Sequence, residues 1–503
     1  MGKGGSVSVK EDTAMPQGVP VNAGTVVWPS REAAHAAVAR MQVKLHRWAG
    51  DDGSRRFDDL FNLICDPAFL LVAWDRVARS PGAGSAGADG VTVAQITRDD
   101  GAEAFLEQIR SEVRPGRFEV QPVRQVKIPK AGGKFRTLGI STVADRVVQA
   151  SLKLVLEPIF EAGFKPCSYG FRPNRRAHDA IAEIHMFATQ GYHWVLEADV
   201  QACFDELGHT PIMERLRLRI KDKRVCALVK AFLKSGIMTT LGKREESITG
   251  TQQGGILSPL IANIALSALD DHFDQQWHQD MGTVHQRVRR RRQGLGTWKL
   301  IRFADDFVIV VHGQRHHAEA LREEVAGVIA PLGLLLSPGK TRVVHVDDGF
   351  DFLGQHIRRQ RKRGTQKYYV YTRPSRKAIR VIKEKVSAMT YRSTRDQDVD
   401  DLLRRVSRVL GGWANYHRHA VSKATFSAVD AHAWRRIARW IRLKHDGLAM
   451  RQLRRRFCDH GWRLAHNGAV FTGAASVKVT RYRYRGDQIP TPWTASPAAI
   501  TSS

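Results

Sequence analysis

The chain has 503 residues, of which 43% are hydrophobic and 26% charged, and its formal net charge is +29. This length predicts about three domains, and the hydrophobic fraction is sufficient for packed cores. A positive charge of this size indicates a polyanionic partner, because each neutralised phosphate releases counterions and adds affinity, and it argues against an enzyme that acts only on small molecules.

The cysteines and the apolar runs exclude further classes. There are five cysteines, and no two have the C-x-x-C spacing. This pattern indicates neither a disulfide framework nor a zinc module. No apolar run approaches the roughly 18 residues of a membrane span, and the N-terminus lacks the apolar stretch of a signal peptide. We therefore expect an intracellular protein that uses no zinc and no membrane.

Five segments are predicted in chain order. Residues 1–30 are rich in Gly, Val and Pro without a clear period, which is typical of a disordered leader. Residues 31–90 begin with apolar residues at helical spacing and end in a Gly/Ala/Ser linker. Residues 91–358 mix strand and helix patterns. Residues 359–470 become helical and strongly basic, and residues 471–503 are rich in Thr, Ser and Pro and predict a loose tail.

The first strong strand signal is a basic hairpin. Residues 127–140 read KIPKAGGKFRTLGI, which is two apolar-centred strands on either side of a Gly-Gly turn. Further along, residues 192–200 alternate between apolar and polar side chains, the pattern of a strand with one buried face. Asp199 ends this strand on its polar face, and Phe204 follows where the chain enters a helix.

A helix start and a basic run come next. Residues 250–259 read GTQQGGILSP, in which Gly254 allows a close backbone approach. Ser258 followed by Pro259 predicts a helix with Ser258 as its N-cap. Arginines at 287 and 289–292 fall between a predicted helix and a strand. We interpret them either as a solvated surface loop or as a phosphate contact.

Two adjacent carboxylates lie between the apolar strands of residues 299–311. This arrangement predicts a β-hairpin with Asp305 and Asp306 at its tip. Such a pair is costly to bury unless a cation neutralises it. Mg²⁺ prefers carboxylates, water and phosphate oxygens, and two ions about 3.5–4 Å apart can clamp a phosphoryl transfer.

Asp199, Asp305 and Asp306 are therefore the candidate ligands of two Mg²⁺ ions. A lone Asp-Asp pair is most often a surface turn, and spacing alone does not establish that Asp199 joins it. Because side chains alternate along a strand, we expect Asp199 and Asp305 to be direct ligands and Asp306 to be more peripheral.

Several sequence boxes resemble those of group II intron reverse transcriptases. FADD resembles the Tyr-Ala-Asp-Asp box, and GTQQGGILSP resembles Thr-Pro-Gln-Gly-Gly-Ile-Leu-Ser-Pro. SYGFRP and GFDFLG are further boxes of these proteins. Their order and spacing fit the family over about residues 80–440. The substitutions, Phe for Tyr and Gln for Pro, leave the metal ligands unchanged. The boxes occupy residues 303–306, 250–259, 168–173 and 349–354.

The resemblance implies an α+β fold of the right-hand-like reverse transcriptase type. Fingers and palm would occupy residues 91–358, followed by a helical thumb and a basic α-helical maturase region over residues 359–470. Residues 31–90 would be an N-terminal helical extension with its linker.

The resemblance also implies roles for residues around the nucleotide. Lys130 and Arg136 would bind the nucleotide triphosphate, countering its charge. Gln253 and Gly254 would lie beside the incoming nucleotide and the template. Phe204 would exclude a ribose 2′-OH and so select deoxynucleotides, and the alternative for it is a phenylalanine of the core.

The C-terminal helices are the candidate RNA-binding region. Apolar residues follow one helical face over residues 402–413 and another over residues 426–440. Basic helices with aromatic residues suit structured RNA, and GGWANYHRH at residues 411–419 resembles the family's maturase segment. The alternative is that the arginines only solvate a helix face. The candidates are Trp413, Tyr416, Arg435, Arg436 and Arg439.

We therefore expect an RNA-directed DNA polymerase of the group II intron type. It would extend a DNA primer on an RNA template with dNTPs. It would also bind its intron RNA to assist splicing and mobility into target DNA. We expect it in the bacterial cytoplasm, in association with the nucleoid.

One alternative is a maturase with little polymerase activity, which the three carboxylates disfavour. A second is a retron-type or diversity-generating reverse transcriptase, which the maturase segment disfavours. A third is an RNA-dependent RNA polymerase, which Phe204 and the alanine before Asp305 disfavour. No Cys-rich His-Asn-His pattern follows Cys458, so no endonuclease is expected.

Overall fold

The computed structural model describes residues 27–129, 135–238, 244–245, 249–251, 254–487 and 489–494, with the backbone alone at 136, 244 and 245. Two residues with predicted roles, Lys130 and Gln253, lie outside this range, as does the side chain of Arg136. Among the described helices, none is both long enough and apolar enough to cross a membrane.

The N-terminal part is a helical layer beside a small sheet. Asp66 caps one of its helices. Its carboxylate accepts the N–H of Ala68, and Pro67 occupies the first turn. Helices α1, α3 and α6 pack together and form much of the largest core. The helices are α1 (Arg31–Asp51), α2 (Phe61–Ile64), α3 (Pro67–Ala78), α4 (Val93–Asp99), α5 (Ala102–Val113) and α6 (Val143–Glu161).

The predicted basic hairpin is confirmed. Strands β1 (Val123–Pro129) and β2 (Phe135–Ile140) pair antiparallel, with Ile128 opposite Arg136. The remaining elements before residue 346 form the predicted palm and its surroundings. They are α7 (Ala177–Thr189), β3 (Trp194–Ala198), α8 (Cys203–Glu206), α9 (His209–Arg217), α10 (Lys223–Lys234), β4 (Ile237–Met238), β5 (Arg244–Glu245), α11 (Ser258–Gln275), α12 (Val284–Arg292), β6 (Thr297–Phe303), β7 (Asp306–His312), α13 (Arg315–Ile329) and β8 (Arg342–His345).

The palm sheet has the strand order β6-β7-β3-β8, and all its neighbours are antiparallel. Alternation along the strands separates two faces. Leu196 and Ile309 belong to the core formed with the α11 and α13 helices. Val195 and Val308 belong to a second core on the opposite face. The period-two pattern of residues 192–200 therefore predicted the strand correctly. The expectation of a single buried face was wrong, because a second core covers the face of Val195.

The C-terminal part begins with a three-stranded sheet that packs on the second face, and continues into basic helices with their own core. The predicted apolar faces at residues 402–413 and 426–440 are confirmed as the buried sides of two of these helices. The elements are β9 (Phe350–Phe352), β10 (Gln355–Arg361), β11 (Tyr368–Pro374), α14 (Arg376–Met389), α15 (Val399–His417), α16 (Lys423–Lys444), α17 (Met450–Phe457), β12 (Cys458–Asp459), β13 (Arg463–His466) and β14 (Ala469–Val470).

The described tail is packed rather than loose. Arg485 binds the buried carboxylate of Asp179 on α7, with Nε 2.8 Å from Oδ1. Tyr482 donates its hydroxyl to the same carboxylate. Trp493 is 8% exposed and stacks near His46 of α1. The tail therefore runs from the basic helices across the palm to the N-terminal layer, because its aromatic side chains are buried there.

Two local expectations were wrong. Ser258 is not an N-cap: the carbonyl of Leu257 accepts the N–H of Leu260 and Ile261, and the Ser258 side chain makes no capping bond. The arginine run is helical rather than a surface loop, because Thr283 starts α12 with a capping box. The alternative interpretation, a phosphate contact, stays a prediction. Arg287 lies over the Trp277 ring at 4.0 Å from its centroid.

Candidate active site

The palm sheet brings two of the predicted carboxylates together. Ala198 pairs with Phe307 across β3 and β7, so the next positions outward, Asp199 and Asp306, face each other. Directly opposed residues share a face of the sheet, with Cβ atoms about 4.5–5.5 Å apart. Asp305 lies in the two-residue turn between β6 and β7, beside Ala304, whose φ is +59°.

An open cleft of about 390 Å³ lies over this face, and Asp199 and Asp306 line it. Lys340 donates from Nζ to Oδ2 of Asp199 at 2.9 Å. Arg342, opposite Glu197 in the sheet, pairs with that carboxylate. The cleft thus holds carboxylates and cations close together, an arrangement suited to triphosphate and metal chemistry.

The carboxyl of Asp306 has a raised pKa. Desolvation raises the pKa of its carboxyl to about 6, and the neighbouring charges of Asp305 and Asp199 add to the shift. Excess negative charge is therefore concentrated where three carboxylates approach one another. Asp306 lies in the same cleft as Asp199, whereas we expected it to be peripheral. Which aspartates are direct ligands stays a prediction.

The carboxylates fit a hard cation. Among the described residues, no three His, Cys, Asp or Glu side chains are close enough to hold a metal ion by themselves. Mg²⁺, however, needs only one or two carboxylates and takes its remaining ligands from water and phosphate. The oxygen donors of Asp199 and Asp306, and the unfavourable charge that raises the pKa of Asp306, match that requirement.

A buried ion pair holds the turn from below. Arg302 is fully buried, and its Nε donates to Oδ1 of Asp270 on α11 at 2.7 Å. The same guanidinium donates to the carbonyl of Ala304 at 2.8 Å and to Asn263 at 3.0 Å. Arg302 thereby fixes the backbone that carries Asp305. Our sequence interpretation missed this residue, although polar Asn263 and Asp270 on the buried stripe of α11 were a signal that a buried cation is present.

The SYGFRP box packs against the same turn. Tyr169 donates its N–H to the carbonyl of Arg302 at 2.8 Å. A Cβ on Gly170 would lie 2.2 Å from the backbone nitrogen of Ala304, so only glycine allows this approach. Arg172 is buried and binds Glu161 with two nitrogens. This box therefore supports the turn that carries Asp305.

The GTQQGGILSP box contacts the segment that follows Asp199. Thr251 donates its N–H to the carbonyl of Phe204 at 2.6 Å. Gly250 has φ +87°, and a Cβ there would lie 2.8 Å from the Phe204 carbonyl oxygen. The Phe204 side chain is partly exposed and belongs to no hydrophobic cluster of the described chain. This exposure favours the sugar-selecting role over the core alternative.

Gly254 lies beside the finger strands. A Cβ on Gly254 would be 3.1 Å from the carbonyl oxygen of Gly139 on β2. The box therefore contacts both the described strands of the hairpin and the Phe204 segment. The nucleotide-binding roles of Lys130, Arg136 and Gln253 stay predictions.

The candidate RNA-binding residues divide into two groups. Arg435 and Arg439 are exposed on α16 and make no ion pair within the described chain. Arg436 instead donates to the Ser387 carbonyl at 3.0 Å and to the Thr390 hydroxyl at 3.1 Å. Trp413 stacks on His417, and Tyr416 donates its hydroxyl to the Leu353 carbonyl. The last three have packing partners inside the protein.

Comparison with known families matches two parts of the chain. Residues 128–357 match the family described as "Reverse transcriptase (RNA-dependent DNA polymerase)". Residues 379–458 match the "Group II intron, maturase-specific domain". Protein YkfC of Escherichia coli is 36% identical over 359 residues, which are 68% of this chain and 93% of that protein. The chain belongs to the group II intron reverse transcriptases.

Two further relatives carry intron functions in their names. The group II intron-encoded protein LtrA of Lactococcus lactis is 30% identical over 356 residues, 62% of this chain and 58% of LtrA. Nuclear intron maturase 1 of Arabidopsis thaliana is 26% identical over 289 residues, 43% of this chain and 40% of that protein. The predicted family, fold and enzyme class, an RNA-directed DNA polymerase with a maturase region, are confirmed.

The ion pair beneath the turn predicts a separation of stability from activity. Asp270→Leu leaves the Arg302 guanidinium buried and unpaired, which should cost about 3–5 kcal/mol in the free energy of unfolding. The double variant Arg302→Met/Asp270→Leu should recover most of that loss, as apolar replacements of buried pairs often do. Because it lacks the donor to the Ala304 carbonyl, it should still extend primers poorly. Urea unfolding and primer extension measure both effects, and full activity of the double variant would refute the positioning role of Arg302.

The raised pKa of Asp306 predicts how stability depends on pH. An unfolded Asp titrates near about 3.9, and the folded carboxyl titrates at about 6. The folded state therefore binds more protons between these values, and stability falls as the pH rises from 4 to 6. Asp306→Asn should raise the melting temperature in EDTA at pH 8 but not at pH 4, by a modest amount because the side chain is partly screened by solvent. Added Mg²⁺ should raise the melting temperature of the original protein more than that of the variant. If Mg²⁺ raised the melting temperatures of the original protein and of Asp306→Asn equally, metal binding by Asp306 would be contradicted.

Proposed function

We propose that this chain copies RNA into DNA at the cleft of Asp199, Asp305 and Asp306, and that its maturase region binds group II intron RNA to assist splicing and mobility. The observation that carries the proposal is the register of β3 and β7, which opposes Asp199 and Asp306 beside the turn of Asp305. The proposed substrates are dNTPs and an RNA template with a DNA primer. The proposed destination of the product is target DNA in the bacterial cytoplasm, near the nucleoid.

The three carboxylates would hold two Mg²⁺ ions. When bound, these ions supply charge that stabilises the attacking and leaving oxygens of the phosphoryl transfer. The protein's own residues position the reactants. Arg302 and Gly170 fix the turn that carries Asp305, and Lys130 and Arg136 on the finger hairpin would bind the triphosphate. Lys340, whose ammonium lies 2.9 Å from Asp199, adds positive charge at the edge of the cleft.

Sugar selection is assigned to Phe204. Phe204 lies five residues after Asp199, its ring is partly exposed, and its backbone carbonyl accepts the N–H of Thr251. A rigid ring at this position would collide with a 2′-OH but accept a deoxyribose. Gln253 and Gly254 would complete the wall beside the template.

The first test is removal of the carboxylates. Asp199→Ala and Asp305→Ala should each reduce Mg²⁺-dependent extension of a DNA primer on RNA to background, because the ions lose their anchoring oxygens. Asp306→Ala should retain more activity. Asp348→Ala removes an exposed carboxylate outside the cleft and is the matched control. Near-normal primer extension by a folded Asp199→Ala or Asp305→Ala protein would contradict the proposed catalysis by metal ions at these carboxylates.

The second test concerns the sugar. Phe204→Ala should raise the ratio of NTP to dNTP incorporation by about tenfold or more, since rejection of one group by a steric contact is of that order. Phe204→Tyr keeps the ring and should keep the selectivity. Single-nucleotide incorporation with each substrate measures the ratio. A general loss of activity with an unchanged ratio of NTP to dNTP incorporation would indicate that Phe204 only packs.

The third test uses the two groups of arginines on α16. Arg435→Ala/Arg439→Ala removes two exposed charges, so the salt dependence of intron RNA binding should flatten by roughly 0.7–0.9 per lost contact. Extension on a simple primer-template should remain. Arg436→Ala is the matched comparison: it should lower the free energy of unfolding by about 1–3 kcal/mol through lost hydrogen bonds and leave the salt slope unchanged. Identical slopes for the double variant and the original protein would mean that Arg435 and Arg439 only solvate the helix.

A further inference from the structure

A second cavity lies between the palm, the basic helices and the tail. It has a volume of about 680 Å³, within the range of about 300–1,000 Å³ that small-molecule sites occupy. We call it the palm–thumb cavity. Its walls come from α7, from β11, from the loop that joins α15 to α16, and from tail residues 479–482 and 484. The palm–thumb cavity and the catalytic cleft are separate, because Leu353 lines the catalytic cleft whereas Gln355 lines the palm–thumb cavity.

One wall of the palm–thumb cavity is aromatic. The rings of His178, His419 and Tyr482 form a mutually packed cluster with centroids 4.9–5.4 Å apart. Burial lowers the pKa of His185 and His419, which favours the uncharged form of these two rings. Flat, uncharged rings offer the stacking surface on which unpaired bases bind.

The rim of the cavity is basic. Lys423 and Arg481 are exposed and line it, and no Asp or Glu is among the described lining residues. Two apolar side chains, Val421 and Val479, are also more than one third exposed on the lining. This rim combines cations with exposed apolar surface, so it matches a ligand that has an anionic group beside an apolar ring.

A buried polar atom marks the interior. Gln355 is 1% exposed, and its Nε2 donates to Nδ1 of His417 at 3.0 Å. Its Oε1 is buried without a hydrogen-bond partner. Leaving a buried acceptor unsatisfied costs free energy, so a donor on the cavity's occupant would stabilise the complex. The exocyclic amines and ring N–H groups of nucleobases are such donors.

We propose that the palm–thumb cavity binds one unpaired nucleobase of RNA, with the adjoining phosphate held by Lys423 and Arg481. The inference rests on the proposed binding of RNA by the maturase region, and it names a single-stranded nucleotide as what is recognised. An apolar protein side chain would fill the same volume. It would leave Oε1 of Gln355 unsatisfied and the two rim cations unmatched, so the nucleotide is the better fit.

The test is photo-crosslinking to the full chain. The probe is a 12-nucleotide single-stranded RNA of mixed sequence in which every uridine is 4-thiouridine, and crosslinked peptides are mapped by mass spectrometry. We expect crosslinks in peptides that contain Tyr371 or Tyr482. Ala182→Phe, which fills the cavity from α7, should reduce their yield about tenfold or more. Primer extension should be unchanged, because Ala182 lies outside the catalytic cleft.

Variants of the rim keep the proposal testable if Ala182→Phe does not fold. Lys423→Ala/Arg481→Ala should reduce the same crosslinks and flatten the salt slope by roughly 0.7 per lost contact. Arg483→Ala is the matched control, since Arg483 is an exposed tail arginine that does not line the cavity. It should leave the crosslinks at Tyr371 and Tyr482 unchanged.

The outcomes separate this proposal from the proposed function. Crosslinks that map only to other surfaces, or cavity crosslinks that persist in Ala182→Phe, overturn the cavity assignment and leave RNA binding intact. Absence of RNA crosslinks anywhere on the protein overturns both. A single-stranded DNA of the same sequence carrying 4-thiothymidine should crosslink more weakly, and equal crosslinking of the two overturns the assignment to RNA.

Discussion

The buried pair of Arg302 and Asp270 is the interaction on which the catalytic geometry depends. Both side chains are fully buried, so each charge would be costly without the other. The guanidinium uses its remaining donors on Asn263, Ser168 and the Ala304 carbonyl. One cation therefore joins three segments that are far apart in sequence: the helix after the GTQQGGILSP box, the SYGFRP box and the catalytic turn. Apolar packing alone would hold the turn less specifically, because it has no directional preference for the Ala304 carbonyl.

Alternation of side chains explains how much could be predicted from the sequence. The period-two pattern of residues 192–200 and the carboxylate pair at 305–306 predicted a strand and a hairpin, and both are present. Helical periodicity located α15 and α16 with their buried faces. These signals are local, and each depends on residues within about ten positions.

Most of the features that were missed or wrongly predicted depend on contacts between distant residues. The sequence does not reveal that Asp306 faces Asp199, since that follows from the register of two strands about 110 positions apart. Arg436 and Tyr416 were candidates for RNA binding, but both also have hydrogen-bond partners inside the protein, on α14 and after β9. Ser258 carried a strong capping signal, and the backbone of Leu257 took the role instead. The tail looked loose by composition, yet its Tyr and Trp side chains find partners more than 300 positions earlier.

The path of the tail has a consequence for how the protein is made. Trp493 contacts Gln42 and His46 on the first helix, a separation of 451 positions for the Trp493–Gln42 bond. At about 5–20 residues per second, the ribosome needs roughly 20–90 s to synthesise the chain between them. During that interval the surface of α1 that Trp493 covers is open to solvent and to other molecules. Docking of the tail is therefore a late event in maturation, and a chain truncated before residue 482 would lack the contacts of Tyr482 with His178 and Asp179 on α7.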